Sequence, residues 1–296
     1  MLTVGAYPLE AWADEYELEK LTILHTNDVH SRIEPFPMDG GRYQGLGGAA
    51  RRAALIRQIR AKEKQVLLLD SGDIFQGTPY FNFYGGELEF KLMSAMKYDA
   101  ATIGNHDFDG GIEGLHRQLK YADFPFVSSN YDFSDTIMNG KTKEYQVFKK
   151  GWLTIGVFGL GIELKGLVPK SLYRETRYLD PLTQANKTAR HLKKEEKCDF
   201  VICLSHLGNR YKDSQVSDWI IAENSEDIDL ILGGHTHTFL DEPDVYQQPK
   251  SGFTVVNQVG FAGIRLGRVD VAFGQDNQIS GLYSNAYAID QRLDVS

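Results

Sequence analysis

Asp28-Val29-His30, Gly72-Asp73, Gly104-Asn105-His106-Asp107, Ser205-His206 and Gly233-Gly234-His235-Thr236-His237 gather the residues of this sequence best suited to chemistry. Their side chains offer oxygen and imidazole nitrogen but no thiolate, a donor set that suits Mn, Fe, Zn, Co or Ni. In His235-Thr236-His237 the alternation turns both imidazoles to one side of an extended segment. Each fragment alone is weak. Asp-x-His pairs arise by chance, and Gly104 to Asp107 also fits a turn with Asn105 left-handed and His106 at the surface. What the fragments share is position: each follows an apolar run, and glycines beside them let main chain approach closely.

Those runs define the elements. Residues 21–24, 66–69, 100–103, 126–127, 153–158, 200–204 and 230–232 read as strands, several of them continuously apolar as strands buried on both faces are. Between them come helical patterns: Ala50, Ala53, Ile56 and Ile59; Leu88, Leu92 and Met96; Ile112, Leu115 and Leu119. A fourth opens with Asp180 as N-cap and Pro181 at the first position, then Leu182, Ala185, Ala189 and Leu192. Arg51, Arg52, Arg57 and Arg60 in the first pattern read as a solvated face. After Thr236 the helix signal stops, and residues 253–259, 267–273 and 279–287 read as strands. The sum is an α/β protein with a mixed sheet, in which loops leaving the carboxyl ends of strands converge on one crevice.

Composition narrows the classes. With 42% hydrophobic and 24% charged residues over 296 positions, the chain reads as globular with a substantial core. A net charge of −8 argues against a nucleic-acid polymer as partner, which would call for a basic face. Cys198 and Cys203 are too few for a disulfide scaffold and are expected as free thiols. No apolar run reaches the length of a transmembrane segment. Residues 1–13 lack Lys and Arg and end in Ala11-Trp12-Ala13, a small-x-small pattern like the end of a signal peptide. Residues 1–18 are therefore set apart as a tail, either a signal-peptide remnant or unstructured, from a domain over residues 19–296. The remnant reading places the protein in the periplasm or outside the cell.

The ordered set Asp28-x-His30, Gly72-Asp73, Gly104-Asn105-His106-Asp107 and Gly233-x-His235-x-His237 resembles the signature of the calcineurin-like metallophosphoesterases. More narrowly, His25-Thr26-Asn27-Asp28-Val29-His30, Gly72-Asp73-x-x-Gln76-Gly77-Thr78 and Gly104-Asn105-His106-Asp107-Phe108-Asp109 are similar to the N-terminal metal-binding domain of the 5′-nucleotidase family. The resemblance covers residues 21–273. It implies a four-layer α/β/β/α fold, a β-sandwich of mixed sheets flanked by helices. It also implies two divalent metal ions, one held by Asp28, His30 and His237, the other by Asn105, His206 and His235, with Asp73 bridging. Some members carry Gln at the position of His237, a departure that bears on metal preference. Such a pair of ions, about 3.5–4 Å apart, clamps phosphoryl oxygens and acidifies a shared water.

His106 is no ligand in the family. There it stabilises the phosphoryl transition state or protonates the leaving oxygen, with Asp109 orienting it. Asn105, His106 and Asn130 are expected at the substrate, and Gln258 near it. Gln76 and Thr78 are expected to support the Asp73 loop and His25 to be a buried support. His116 and His191 read as surface residues, and Arg32, Arg42 and Arg265 as undifferentiated candidates for phosphate.

The implied substrate is a small phosphoester, a nucleotide first of all. Relatives also hydrolyse 2′,3′-cyclic nucleotides and nucleotide sugars, and a sulfur-oxidising hydrolase branch shares the metal site. Family members usually continue into a second domain that reads the nucleotide, so a separate chain supplying that part is the expected partner. A non-catalytic metal-binding subunit is the alternative of another class, and such a subunit would have no need of His106 and Asp109.

Overall fold

Alternation along the strands sets the layers. In the computed structural model, which describes residues 3–4, 18–250 and 252–293, the strands are β1 (Thr3–Val4), β2 (Glu19–Thr26), β3 (Val66–Asp70), β4 (Ala100–Ala101), β5 (Tyr131–Asp132), β6 (Tyr145–Lys150) and β7 (Leu153–Gly161). They continue with β8 (Arg177–Tyr178), β9 (Phe200–His206), β10 (Leu230–Leu232), β11 (Asp244–Gln247), β12 (Phe253–Asn257), β13 (Arg265–Phe273) and β14 (Ile279–Ala288). The helices are α1 (Ala49–Lys62), α2 (Pro79–Tyr84), α3 (Glu87–Ala95), α4 (Gly111–Gln118), α5 (Lys170–Tyr173), α6 (Pro181–Lys194) and α7 (Asp218–Asn224).

One sheet has the order β1-β14-β13-β2-β3-β4 and the other β11-β12-β10-β9-β7-β6, with β5 and β8 a separate ribbon. Leu21, Ile23, Leu67, Leu69, Val269 and Val271 of the first sheet meet Ile155, Val157, Ile202, Leu204 and Leu230 of the second in one apolar layer. On the outer side of the first sheet, Leu24, Leu68 and Leu266 pack with Leu55 and Ile56 of α1 and Phe90 and Met93 of α3. Phe158, Val201, Cys203 and Ile231 pack likewise with Ala185, Ala189 and Leu192 of α6 and Ile221 of α7. The result is the expected four-layer α/β/β/α sandwich. Cys198 and Cys203 are buried free thiols. Among the described residues no helix is long and apolar enough to cross a membrane.

Parallel pairing positions the site. β2, β3 and β4 run parallel, with Ile23 opposite Leu67 and Asp70 opposite Ala101. β7, β9, β10 and β12 are parallel as well, with Leu204 opposite Leu232. The carboxyl ends of both sets therefore open on one side, where Asp28, Asp73, Asn105, His206 and His235 follow.

Several expectations change. Residues 126–127 make only single bridges, Ala101 to Phe126 and Val127 to Lys143, and the strand at 100 stops at Ala101. The half-exposed β6 and β11, unexpected from the sequence, are the two edges of the second sheet; edge strands lack the apolar run that marks a central one. Asp180 does cap α6, accepting from Thr183 N at 2.8 Å. The solvated arginine face does not hold throughout: Arg52 is buried, and Arg60 donates to the main-chain oxygens of Met96 and Lys97. Thr3–Val4 pairs in parallel with Gly281 and Leu282. The rest of the small-x-small segment, Ala11-Trp12-Ala13 included, lies outside the described residues.

Candidate metal centre

The loops that leave β2 and β3 are zipped together before any side chain acts. Asp28 N donates to Gly72 O at 2.9 Å, His30 N to Asp73 O at 3.1 Å, and Ser31 N to Ile74 O at 2.8 Å. Five of the gathered residues adopt a left-handed backbone that non-glycine residues avoid. Asp28, His30, Asp73, His235 and His237 have φ of 49°, 51°, 54°, 69° and 53°. Each such non-glycine residue costs about 1–2 kcal/mol, a strain that clusters at functional sites. Two glycines are obligatory for space. A Cβ on Gly104 would stand 2.2 Å from Asp73 Oδ1, and one on Gly234 would stand 2.8 Å from His206 Nδ1.

The side chains gather into two groups, Asp28 with His30 and His237, and Asp73 with His206 and His235; within each, the ligand atoms lie within 4.8 Å of one another. In the first, His30 Nε2 and His237 Nε2 are 3.0 Å apart, and His237 Nε2 is 3.3 Å from Asp28 Oδ1. In the second, His206 Nε2 is 3.1 Å from Asp73 Oδ2, and Asn105 Oδ1 is 2.8 Å from His235 Nδ1. Asp73 Oδ2 is also 3.9 Å from His30 Nε2, which puts this carboxylate between the groups. Each group draws on both sheets.

Main-chain oxygens aim two of the rings. His206 Nδ1 donates to Ser71 O at 2.7 Å and His30 Nδ1 to Phe75 O at 3.2 Å, so each Nε2 is turned to the centre. His206 Nε2 is fully buried and faces the Asp28 and Asp73 carboxylates. Burial disfavours charge on both Asp73 and His206, yet their attraction wins. The Asp73 carboxyl lies well below the usual carboxylate range, and His206 is raised to about 10. Converging imidazole nitrogens beside two buried carboxylates are the donors that two divalent cations require, a cation taking the place of the His206 proton, so the residues fit such ions.

Beside the pair, His106 Nδ1 donates to Asp109 Oδ2 at 2.8 Å, and this bond raises the imidazole above its ordinary value. The His106 side chain is 40% exposed and its ring centroid lies 5.3 Å from that of His30, so it lines the opening. Its main-chain N–H donates to Asp73 Oδ1 at 2.8 Å, which ties its position to the centre.

The calcineurin-like phosphoesterase family matches this chain over residues 21–239. The chain belongs to that family. It is similar to the snake venom 5′-nucleotidase of Crotalus adamanteus, 37% identical over 230 residues, which are 75% of this chain and 37% of that protein. The 5′-nucleotidase of Homo sapiens is 36% identical over 236 residues, 75% of this chain and 38% of its own length. The crystal structure of a 5′-nucleotidase precursor from Thermus thermophilus superposes with a TM-score of 0.82 at 31% identity, covering 93% of this chain and 55% of that one. The chain thus spans well under half the length of the two sequence relatives.

The remaining residues of this phosphoesterase sort themselves by contact. Asn130, expected at the substrate, is fully buried instead: its amide donates to Gly161 O and accepts from Gly161 N, both at 2.7 Å. Its polar groups tie two segments of the fold together. Gln258 is buried behind the His235 loop and accepts from Thr236 Oγ1 at 3.2 Å. Thr78 Oγ1 donates to Ser31 O at 2.6 Å, whereas Gln76 is exposed. His25 is fully buried, and His191 bonds Tyr145 at the surface while His116 is partly exposed. Arg32, Arg42 and Arg265 lie over Phe36, Tyr43 and Phe239.

Two residues escaped the sequence reading. Asp107 accepts from the main-chain N–H of Asp73, Ile74, Phe75 and Gly104, so one carboxylate shapes both ligand loops. Its place inside the Gly104–Asp107 motif was the available signal. Asn27 Nδ2 donates to Asp28 Oδ2 at 2.7 Å and to Gly260 O at 2.5 Å; nothing but adjacency to Asp28 marked it.

Proposed function

We propose that this chain hydrolyses phosphomonoesters in the manner of a 5′-nucleotidase, with two divalent ions and the His106–Asp109 pair. The carrying observation is that two ligand groups and this pair share one opening. Asp28, His30 and His237 would hold one ion, and Asn105, His206 and His235 the other, with Asp73 between them. When bound, the ions supply electrophilic stabilisation of the phosphoryl oxygens and a more acidic water. Mn, Fe, Zn, Co and Ni all suit the donors.

Asp109 accepts the hydrogen bond from His106 Nδ1–H, which fixes the rotation of the imidazole and favours its protonated form. The opposite edge, Nε2–H, is then free to bond a phosphoryl oxygen as charge develops or to protonate the departing alkoxide. Asn105 holds its side-chain oxygen against His235 and stands next to His106, which supports a role for it at the phosphate.

A nucleotide is the favoured substrate, because the relatives at 37% and 36% identity are 5′-nucleotidases. The small-x-small pattern before residue 19 favours a periplasmic or secreted location. Metal analysis combined with hydrolysis of AMP, a 2′,3′-cyclic nucleotide, UDP-glucose and p-nitrophenyl phosphate tests the reading. About two ions per chain with turnover of AMP is the expected result. Two ions without turnover on the whole panel would leave a non-catalytic metal-binding subunit. Turnover only of the cyclic nucleotide or the nucleotide sugar would assign those branches.

A further inference from the structure

A small cavity lies under the loop that carries Asp28 and His30. Its volume is about 20 Å³, and Val29, Ser31, Arg52, Asp70, Glu89 and Tyr98 are among its walls. Arg52 on α1 is 3% exposed and Glu89 on α3 is 4% exposed. Arg52 Nε and Nη1 are buried without a hydrogen-bond partner, and the Glu89 carboxylate and the Ser31 hydroxyl, buried near one another, make no well-aligned hydrogen bond. Arg52 and Glu89 face the same space but do not approach within the 4.0 Å of an ion pair. A buried guanidinium and a buried carboxylate left in this way are among the costliest arrangements a fold can hold. A cavity of this size admits one water, and a stable internal water takes two to four polar partners. A cation is opposed by Arg52, and an anion by Glu89 and Asp70.

We infer that this cavity binds one internal water bridging Ser31, Glu89 and Arg52, and that the three act as positioning residues for the Asp28–His30 loop. The inference rests on the reading of Asp28 and His30 as metal ligands. Ser31 directly follows His30, and both its main-chain groups are bonded to the Asp73 loop, through Ile74 O and Thr78 Oγ1. On its other side Arg52 fills the space beneath Gly263, where an added Cβ would stand 2.0 Å from Nη1. The neighbouring Ala262 N donates to Asp28 O at 2.7 Å. One hydrated guanidinium thus underlies both main-chain supports of the first ligand group.

The test measures Mn²⁺ affinity of the full chain by chelator competition, together with thermal unfolding. Arg52→Met keeps the length of the side chain but removes its charge and donors, and should weaken Mn²⁺ binding by about 10–100-fold, as loss of groups supporting metal ligands does. A purely structural role would lower the melting temperature and leave the Mn²⁺ affinity of folded Arg52→Met unchanged, which overturns the positioning role. Should Arg52→Met not fold, a high-resolution crystal structure of the wild type decides. An ordered water between Ser31 Oγ and Glu89 supports the inference; a dry cavity or a direct Arg52–Glu89 ion pair overturns it. A wild type that binds no Mn²⁺ overturns the ligand reading and the positioning role with it, while the water is still judged by the crystal.

Discussion

Between the sheets, Leu67, Leu69, Ile202 and Leu204 are wholly buried and need nothing but one another. A few residues further along the same stretches of chain, Asp73 and His206 are just as inaccessible yet carry opposite charge. The first region gains from burial, about 1.5–3 kcal/mol for each large aliphatic side chain. The second loses by it, through desolvation and through left-handed backbone at Asp28, His30, Asp73, His235 and His237. The core therefore underwrites a crevice that would not assemble by itself. Stability and activity should accordingly separate along the strand axis.

The largest effect expected from breaking that contrast is at the bridging carboxylate. Asp73→Ala should reduce kcat/KM by about 10³-fold or more, some 4 kcal/mol of transition-state stabilisation, and lower the metal content found by elemental analysis. Its melting temperature should change less than that of a core variant. Leu204→Ala tests the other side: unfolding in urea should show a loss of about 2–5 kcal/mol while turnover per folded, metal-loaded molecule stays near wild type. Equal damage to both properties in each variant would erase the distinction.

Within the crevice, His106→Ala should keep its metal and lose about 10²-fold in kcat, because the imidazole meets the substrate and not the ions. The smallest effect concerns His25, which burial pushes down to about 3 from an ordinary value near 6.5. The unfolded chain takes up this proton and the folded one does not. The contribution is therefore complete above pH 6.5 and declines as pH falls towards 3, by up to ~1.4 kcal/mol per unit. Urea midpoints of wild type and His25→Gln across pH 4–7 should differ in slope in that sense.

The same contrast decides what could be read from sequence. Central strands such as residues 66–69 and 200–204 declare themselves because both faces are buried and every position is apolar. The edges β6 and β11 do not, since half of each meets water and Lys149 and Lys150 mask the pattern. Asp28, His30, Asp73, Asn105, His206, His235 and His237 were legible because ligand types followed apolar runs in a fixed order. Asn130 was misplaced on similar grounds: a polar residue after a strand can hold a ligand or a neighbouring segment, and only its bonds to Gly161 distinguish the two. Arg52 was misjudged because arginines on an amphipathic helix normally face water, and its burial depends on the cavity that the loop after β2, Asp70 of β3, α1 and α3 enclose between them.

One feature of the topology divides the centre in an unexpected way. Asp28, His30, Asp73 and Asn105 precede the exposed turn at Gly140, where an added Cβ would meet nothing within 4 Å. His206, His235 and His237 follow it, along with the whole second sheet and the β13–β14 hairpin that completes the first. Neither stretch owns a full set of donors for either ion. Cut at that turn, the chain becomes a pair of silent fragments, and hydrolysis in a mixture of the two would report their reassembly.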